Sequence, residues 1–277
     1  MKATRLASFG RMRRDLANWI HKDRQLGEPH RHRETGHPRG AVHLYLDLMK
    51  RCLINSIYDI DISDEQAREE GRDWPRDAHT MIGLKRLNNL QFCVEDILDR
   101  GIPGDLIETG VWRGGATIFM QAILKARGVT DRRVWVADSF EGLPPPDPEK
   151  YPCDEGDLLH TFTQLAISLD QVRSNFQRYG LLDDRVQFLK GWFRDSLPGS
   201  PIAQLAVIRL DGDMYESTMD GLANLYPKLS IGGYVIVDDY GCIPACRQAV
   251  HDYREAHGIR DEIHPIDWTG VYWRRSA

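Results

Sequence analysis

The sequence predicts an α/β protein, with a mostly parallel sheet, helices on both faces and an antiparallel strand pair at its C-terminal end. Three observations carry this. From residue 105 onward, short apolar runs alternate with stretches of helical periodicity. The first run opens into a glycine-rich turn, "ETGVWRGGAT". The runs "VWVAD", "LAVIRLD" and "GYVIVDD" all stop in aspartate.

Taken in order, residues 1–40 stand apart. "EPHRHRETGHPRG" is polar and carries Pro and Gly, which predicts a basic, mobile N-terminal arm. Leu6, Met12, Leu16, Trp19 and Ile20 suggest one short helix within it, and His30, His32 and His37 read as a solvated stretch rather than a metal site. Residues 41–103 predict a helical lead-in. Tyr45, Met49, Leu53 and Ile57 recur every four residues. Apolar positions 81, 84, 87, 90, 94 and 97 mark a long helix that includes Met81 and is stopped by Gly101 and Pro103.

Residues 104–277 hold the expected core. Strands are predicted at 105–110, 133–138, 186–191, 205–211 and 233–239. Helices are predicted at 114–127, from a Ser168/Gln171 capping box to about Tyr179, at 216–229 and at 244–257. The tail "EIHPIDWTGVYWRR" predicts two short strands.

The bulk numbers exclude several classes. A chain of 277 residues is long enough for one large domain, and 42% hydrophobic with 28% charged residues suits a folded core. A net charge of −5 gives no reason to expect a nucleic acid. No run of 18 apolar residues suggests a membrane span, and the basic N-terminus lacks a signal-type apolar core. Five cysteines fit no disulfide framework, so a cytoplasmic protein is expected. Cys242, Cys246 and His251 lie close in sequence, but free thiols packed on a helix explain them better than a metal site.

In a parallel sheet all strands end on one side, and ligands bind there. That side would gather Glu108, Asp138, Asp211, Asp238 and Asp239. Asp211, Asp238 and Asp239 are hard oxygen donors without Cys or His, which favours Mg²⁺, Ca²⁺ or Mn²⁺ over zinc. Gly110 and the Gly114-Gly115 pair permit a tight turn beside a ligand, but their spacing is not the dinucleotide G-x-G-x-x-G. An acid ending the second strand, Asp138 with Ser139 beside it, suits ribose hydroxyls. No Walker pattern is present, which disfavours nucleotide hydrolysis. Trp112, Trp192, Phe193, Tyr215 and Tyr240 follow the strand ends; core packing explains most of them, and one or two could line a pocket.

"GDLIETGVWRGGATIFMQAIL", "VWVADSFEGLPPPD", "FLKGWFRDSLP", "LAVIRLDGDMYEST" and "GGYVIVDDY" resemble the macrocin and novobiocin-type O-methyltransferases, class I S-adenosylmethionine-dependent enzymes of Rossmann-like fold. "YLDLMKRCLINSIYD" and "TMIGLKRLNNLQFCVEDIL" extend the resemblance over about residues 43 to 275, leaving the N-terminal arm outside. The resemblance implies Mg²⁺-dependent methylation of a deoxysugar hydroxyl in natural-product biosynthesis, and commonly a homodimer paired through the helices before the sheet. It implies that Asp211, Asp238 and Asp239 hold the metal and that Asp211 is also the base. Glu108, Thr109, Gly110, Arg113 and Gly114 would line the methionine end of the cofactor. Asp138 and Ser139 would hold the ribose, Gly191 and Trp192 would border the adenine, and Met81 would lie near the sulfonium.

Methyl transfer needs an aligned lone pair, carbon and sulfur. A neutral hydroxyl needs help as a nucleophile, which a dication and a nearby carboxylate would give. A vicinal diol is therefore the expected acceptor, on a sugar or glycosylated small molecule. A catechol or a nucleotide-linked sugar would meet the same demand. A dinucleotide-dependent oxidoreductase would leave the three aspartates without a role.

Overall fold

The computed structural model describes residues 40–58 and 64–277. The expectations for residues 1–39 lie outside the described residues. Helix α1 (Ala41–Leu53) buries Leu46, Met49 and Leu53. Asn55 then takes the left-handed φ of 55°, so Ile57 falls in a turn beyond the helix. A short helix, α2 (Glu65–Glu70), was too brief to show periodicity; the Asp64 side chain caps it by accepting from the Ala67 amide. Helix α3 (Leu84–Asp99) buries Leu87, Leu90, Val94 and Ile97. Met81 sits in the bend before α3, not within it. The chain must turn first, because Gly83 takes φ 39° and a Cβ there would come within 2.3 Å of the Gly71 nitrogen. Gly101 closes α3 as expected, at φ 64° with its amide returned to the Leu98 carbonyl.

The alternating part follows: β1 (Asp105–Thr109), α4 (Gly115–Ala126), β2 (Val134–Asp138), α5 (Leu169–Arg178), β3 (Val186–Lys190), α6 (Phe193–Ser196), β4 (Leu205–Leu210), α7 (Tyr215–Leu225), β5 (Leu229–Val237), α8 (Pro244–Ala256), β6 (His264–Pro265) and β7 (Val271–Arg274). Ser168 does cap α5 through the Gln171 amide, but the Gln171 side chain turns to Asn175 instead of completing the box. Helix α7 ends earlier than its apolar pattern suggested, because Pro227 lies in the tight turn that follows. Strand β5 begins four residues before the apolar run, at Leu229; Ser230 and the glycines at 232 and 233 hide its first half.

The seven strands are ordered β3-β2-β1-β4-β5-β7-β6. The first five are parallel, and β7 runs antiparallel to both β5 and β6. Successive strand residues feed opposite faces. Leu106, Val207 and Ile236 join a core with α1, α3 and α4, whereas Ile107, Ile208 and Val237 join one with α7 and α8. Each fully buried aliphatic side chain contributes about 1.5–3 kcal/mol. The lead-in helices share the first core, and all described residues belong to one compact unit. Strand order reverses between β1 and β4, which opens a crevice at their carboxyl ends. Among the described residues, no helix is long and apolar enough to cross a membrane.

Candidate active site

The turn after β1 must be glycine. Gly110 has φ 81°, and a Cβ there would lie 1.7 Å from the Asp211 carbonyl oxygen, so the β1 and β4 ends touch backbone to backbone. Asp138, at the end of β2, is held by peptide groups: its carboxylate accepts from the amides of Val111 (2.7 Å) and Phe140 (2.7 Å). Burial raises its proton affinity, and the Phe140, Val111 and Trp112 amides oppose that rise. The Ser139 hydroxyl donates to the Gly142 carbonyl at 2.6 Å.

These residues edge a cavity that opens to solvent. It brings together Met81, Gly110, Asp138, Ser139, Trp192 and Asp211 of the expected site residues. The others stand behind it. Thr109 is buried in β1, and Gly114 caps α4 with its α-carbon turned towards Val172. The Arg113 guanidinium stacks over Trp112, 4.1 Å from the ring centre, and donates to the Arg76 and Ala78 carbonyls at 2.7 Å each. It braces the segment before α3. Gly191 ends β3 with its amide on the Asp138 carbonyl. Glu108 is buried against Arg209.

The β4–β5 side is built differently. Arg209, 1% exposed within β4, donates to Glu108, to Asp211 (2.7 Å) and to Asp238. Arg86, from α3, holds the other Asp238 oxygen and bonds Asp267 through Nε at 2.9 Å. Asp239 is buried beside them, with one oxygen accepting from the Asp213 amide at 3.1 Å. Four carboxylates (Glu108, Asp211, Asp238 and Asp267) thus meet two guanidiniums, with Asp213 and Asp239 close by. Burial first, and then the neighbouring Asp238, lifts Asp211 to about 6 against the pull of Arg209. Burial lifts Glu108 to about 8. Asp213 and Asp239 stand well above the usual carboxylate range, through burial first and then neighbouring charge, that of Asp211 on Asp213 and that of Asp213 on Asp239.

That surplus of negative charge is what a dication would neutralise. Oxygens of Asp211, Asp238 and Asp239 all lie within 4.8 Å of one another, and they form the one such cluster of acids, histidines or cysteines among the described residues. An all-carboxylate set suits Mg²⁺ or Ca²⁺. The side chains therefore fit the ion. His251 turns to the Tyr240 hydroxyl (2.8 Å), and Cys246 is packed as a free thiol.

Sequence reasoning missed Arg86, Arg209 and Asp213. A lone arginine inside "LAVIRLD" was a legible signal, since a charge in a buried strand needs a partner. Asp213 stood in plain view in "DGD" and lines the cavity at φ 60°. Arg86 left no local trace, because its partner Asp238 lies 152 residues away.

The chain is similar to known proteins. A family model described as Macrocin-O-methyltransferase (TylF) matches residues 61–275. The chain is 60% identical to the 8-demethyl-8-(2,3-dimethoxy-alpha-L-rhamnosyl)-tetracenomycin-C 4'-O-methyltransferase of Streptomyces olivaceus, over 86% of this chain and 94% of that protein. It is 56% identical to the Mycinamicin III 3''-O-methyltransferase of Micromonospora griseorubida, over 87% and 99%. The solved structure of the O-methyltransferase NovP superposes with a TM-score of 0.83 at 54% identity, covering 85% of this chain and all (100%) of that one.

Proposed function

This chain belongs to the macrocin O-methyltransferase (TylF) family, and on that premise we propose that it methylates a deoxysugar hydroxyl on a natural-product scaffold, with Mg²⁺. It is an S-adenosylmethionine-dependent O-methyltransferase of class I fold. The observation that carries the proposal is the Asp211, Asp238 and Asp239 cluster at the edge of the cavity that Asp138 and Ser139 also line. The 60% identical relative is named for a rhamnosyl acceptor, which supports a scaffold-borne sugar.

In this reading Asp138 and Ser139 receive the ribose hydroxyls, while Gly191 and Trp192 border the adenine. Gly110 lets the backbone approach the methionine end, and Glu108, Thr109, Arg113 and Gly114 shape that end from behind. Met81 packs near the sulfonium. Asp211, Asp238 and Asp239 hold the ion. When bound, the dication lowers the cost of negative charge on the acceptor hydroxyl, and S-adenosylmethionine supplies the methyl group. Asp211, whose side chain keeps 27% of its surface exposed, faces the cavity and takes the hydroxyl proton.

A second reading gives the proton to Asp213. Asp211 is tied to Arg209, whereas Asp213 lines the same cavity, and no ion pair is found for it among the described residues.

The proposal extends to a cytoplasmic homodimer. Leu44 and Leu48, 60% and 53% exposed, lie four residues apart on α1 and support pairing through the lead-in helices. Sedimentation velocity checks the dimer.

Labelled S-adenosylmethionine and the rhamnosyl acceptor named for the Streptomyces olivaceus relative test the chemistry. Transfer is expected with Mg²⁺, lost in EDTA and restored by Mg²⁺. Full activity in thorough chelation removes the metal. No transfer to that acceptor or to mycinamicin III, with S-adenosylmethionine bound, counts against the acceptor class.

A further inference from the structure

Between β2 and α5, residues 143–167 form no strand and no α-helix, only three short 3₁₀ turns. A stretch this long without regular structure is uncommon in a compact domain and is usually functional. It is clasped at two points. Near its end, the Trp112 indole N–H donates to the Gln164 carbonyl at 3.0 Å, which ties it to the turn after β1. In its middle, Asp154 is 2% exposed and accepts from the amides of Tyr215 (2.7 Å) and Glu216 (3.0 Å).

Those two amides open α7, where no intrahelical carbonyl can receive them. The helix's own N-cap, Met214, supplies no side-chain bond. The cap therefore comes from 61 residues away, as an anion at a helix N-terminus. The rings of Tyr151 and Tyr215 pack 5.9 Å apart beside it. The start of α7 also carries the wall of the site. Asp213 precedes the N-cap at φ 60°, the Met214 amide returns to the Gly212 carbonyl at 2.7 Å, and Glu216, Ser217 and Asp220 line the cavity.

We infer that Asp154 is a positioning residue: it clasps the 143–167 strap onto α7 and so fixes both the acceptor-side wall and the Asp211–Asp213 turn. The Trp112 clasp serves the cofactor side instead. The inference rests on the reading of the cavity as a methyl-transfer site.

Hydrogen exchange read by mass spectrometry on the full chain tests it, alongside kinetics with the rhamnosyl-tetracenomycin acceptor as probe. In Asp154→Ala, amides in 155–163 and in 213–217 should exchange faster together, by about tenfold or more, the scale of a lost charge-assisted bond. Asp154→Asn keeps one acceptor oxygen and should fall between, which rescues part of the effect and decides the matter if the alanine variant does not fold. The acceptor KM should rise by about tenfold, while the S-adenosylmethionine Kd moves less than about twofold. Loosening confined to 155–163, or a cofactor Kd that weakens as much as the acceptor KM, overturns the inference. The exchange arm needs no acceptor. A wild-type enzyme that ignores the probe therefore contradicts the proposed acceptor and leaves exchange to decide the role of Asp154.

Discussion

The two sides of the cavity hold their carboxylates by opposite means. At the ends of β1 and β2, Asp138 is seated by neutral peptide amides from the turns that follow those strands. On the acidic side, Asp211 and Asp238 are clamped by buried guanidiniums, and the acids outnumber them. Backbone donors add no net charge and need no counter-ion. A cluster with surplus negative charge depends on protons or a cation to complete it. The difference teaches that sensitivity to ions belongs to the guanidinium-clamped cluster, Glu108 of β1 included, whereas the peptide seat of Asp138 should respond chiefly to changes in shape and hydrogen bonding.

The largest expected effect breaks the acidic side. Asp211→Asn keeps the shape but removes charge and basicity, so turnover at saturating Mg²⁺ should fall about 10²–10⁴-fold if Asp211 is the base. Recovery with extra Mg²⁺, together with a comparable loss in Asp213→Asn, would move the base to Asp213. S-adenosylmethionine affinity should survive both changes, because Asp138 is untouched.

Arg209→Met asks how much the clamp contributes. It leaves Glu108, Asp211 and Asp238 facing one another with one cation fewer, and denaturant unfolding should register a loss of about 3–5 kcal/mol. An unchanged midpoint would mean that the acids are already neutralised without Arg209.

Asp138→Ala makes the complementary cut. Removing a charged acceptor should weaken S-adenosylmethionine binding by about 1.5–3 kcal/mol in calorimetry, with Mg²⁺ binding intact. Equal damage to both would erase the distinction between the sides.

The smallest effect is the pH trend. Glu108 (about 8) and Asp211 (about 6) take up protons more readily in the fold than in the open chain. Their contribution is fully present below about pH 4 and is lost as pH rises through about 6 to 8. The melting temperature in chelator should therefore drop across that window, and saturating Mg²⁺ should flatten the drop. A rise in chelator would contradict the assigned directions.

Much of the fold was legible because alternating apolar runs and their capping signals are local. Gly101 and Ser168 each act within a few residues of themselves. Errors arose where small or polar residues interrupted the pattern, as at Ser230 in β5, or where a tight approach displaced an element, as Gly83 did for α3. The acidic rim could be read because the topology alone brings strand ends together. The arginines that organise it were illegible, since ion pairs such as Arg86 with Asp238 and Asp267 join distant parts of the chain. The same holds for Asp154, whose partners begin 61 residues later.

The most direct test of the acidic side as a cation centre is a Mg²⁺ titration of the purified, chelator-stripped protein by calorimetry, in parallel with Asp239→Asn and Asp138→Ala. One saturable site is predicted in the wild-type protein, lost in Asp239→Asn and retained in Asp138→Ala. No saturable heat in the wild type, or the same site in all three proteins, would contradict the account.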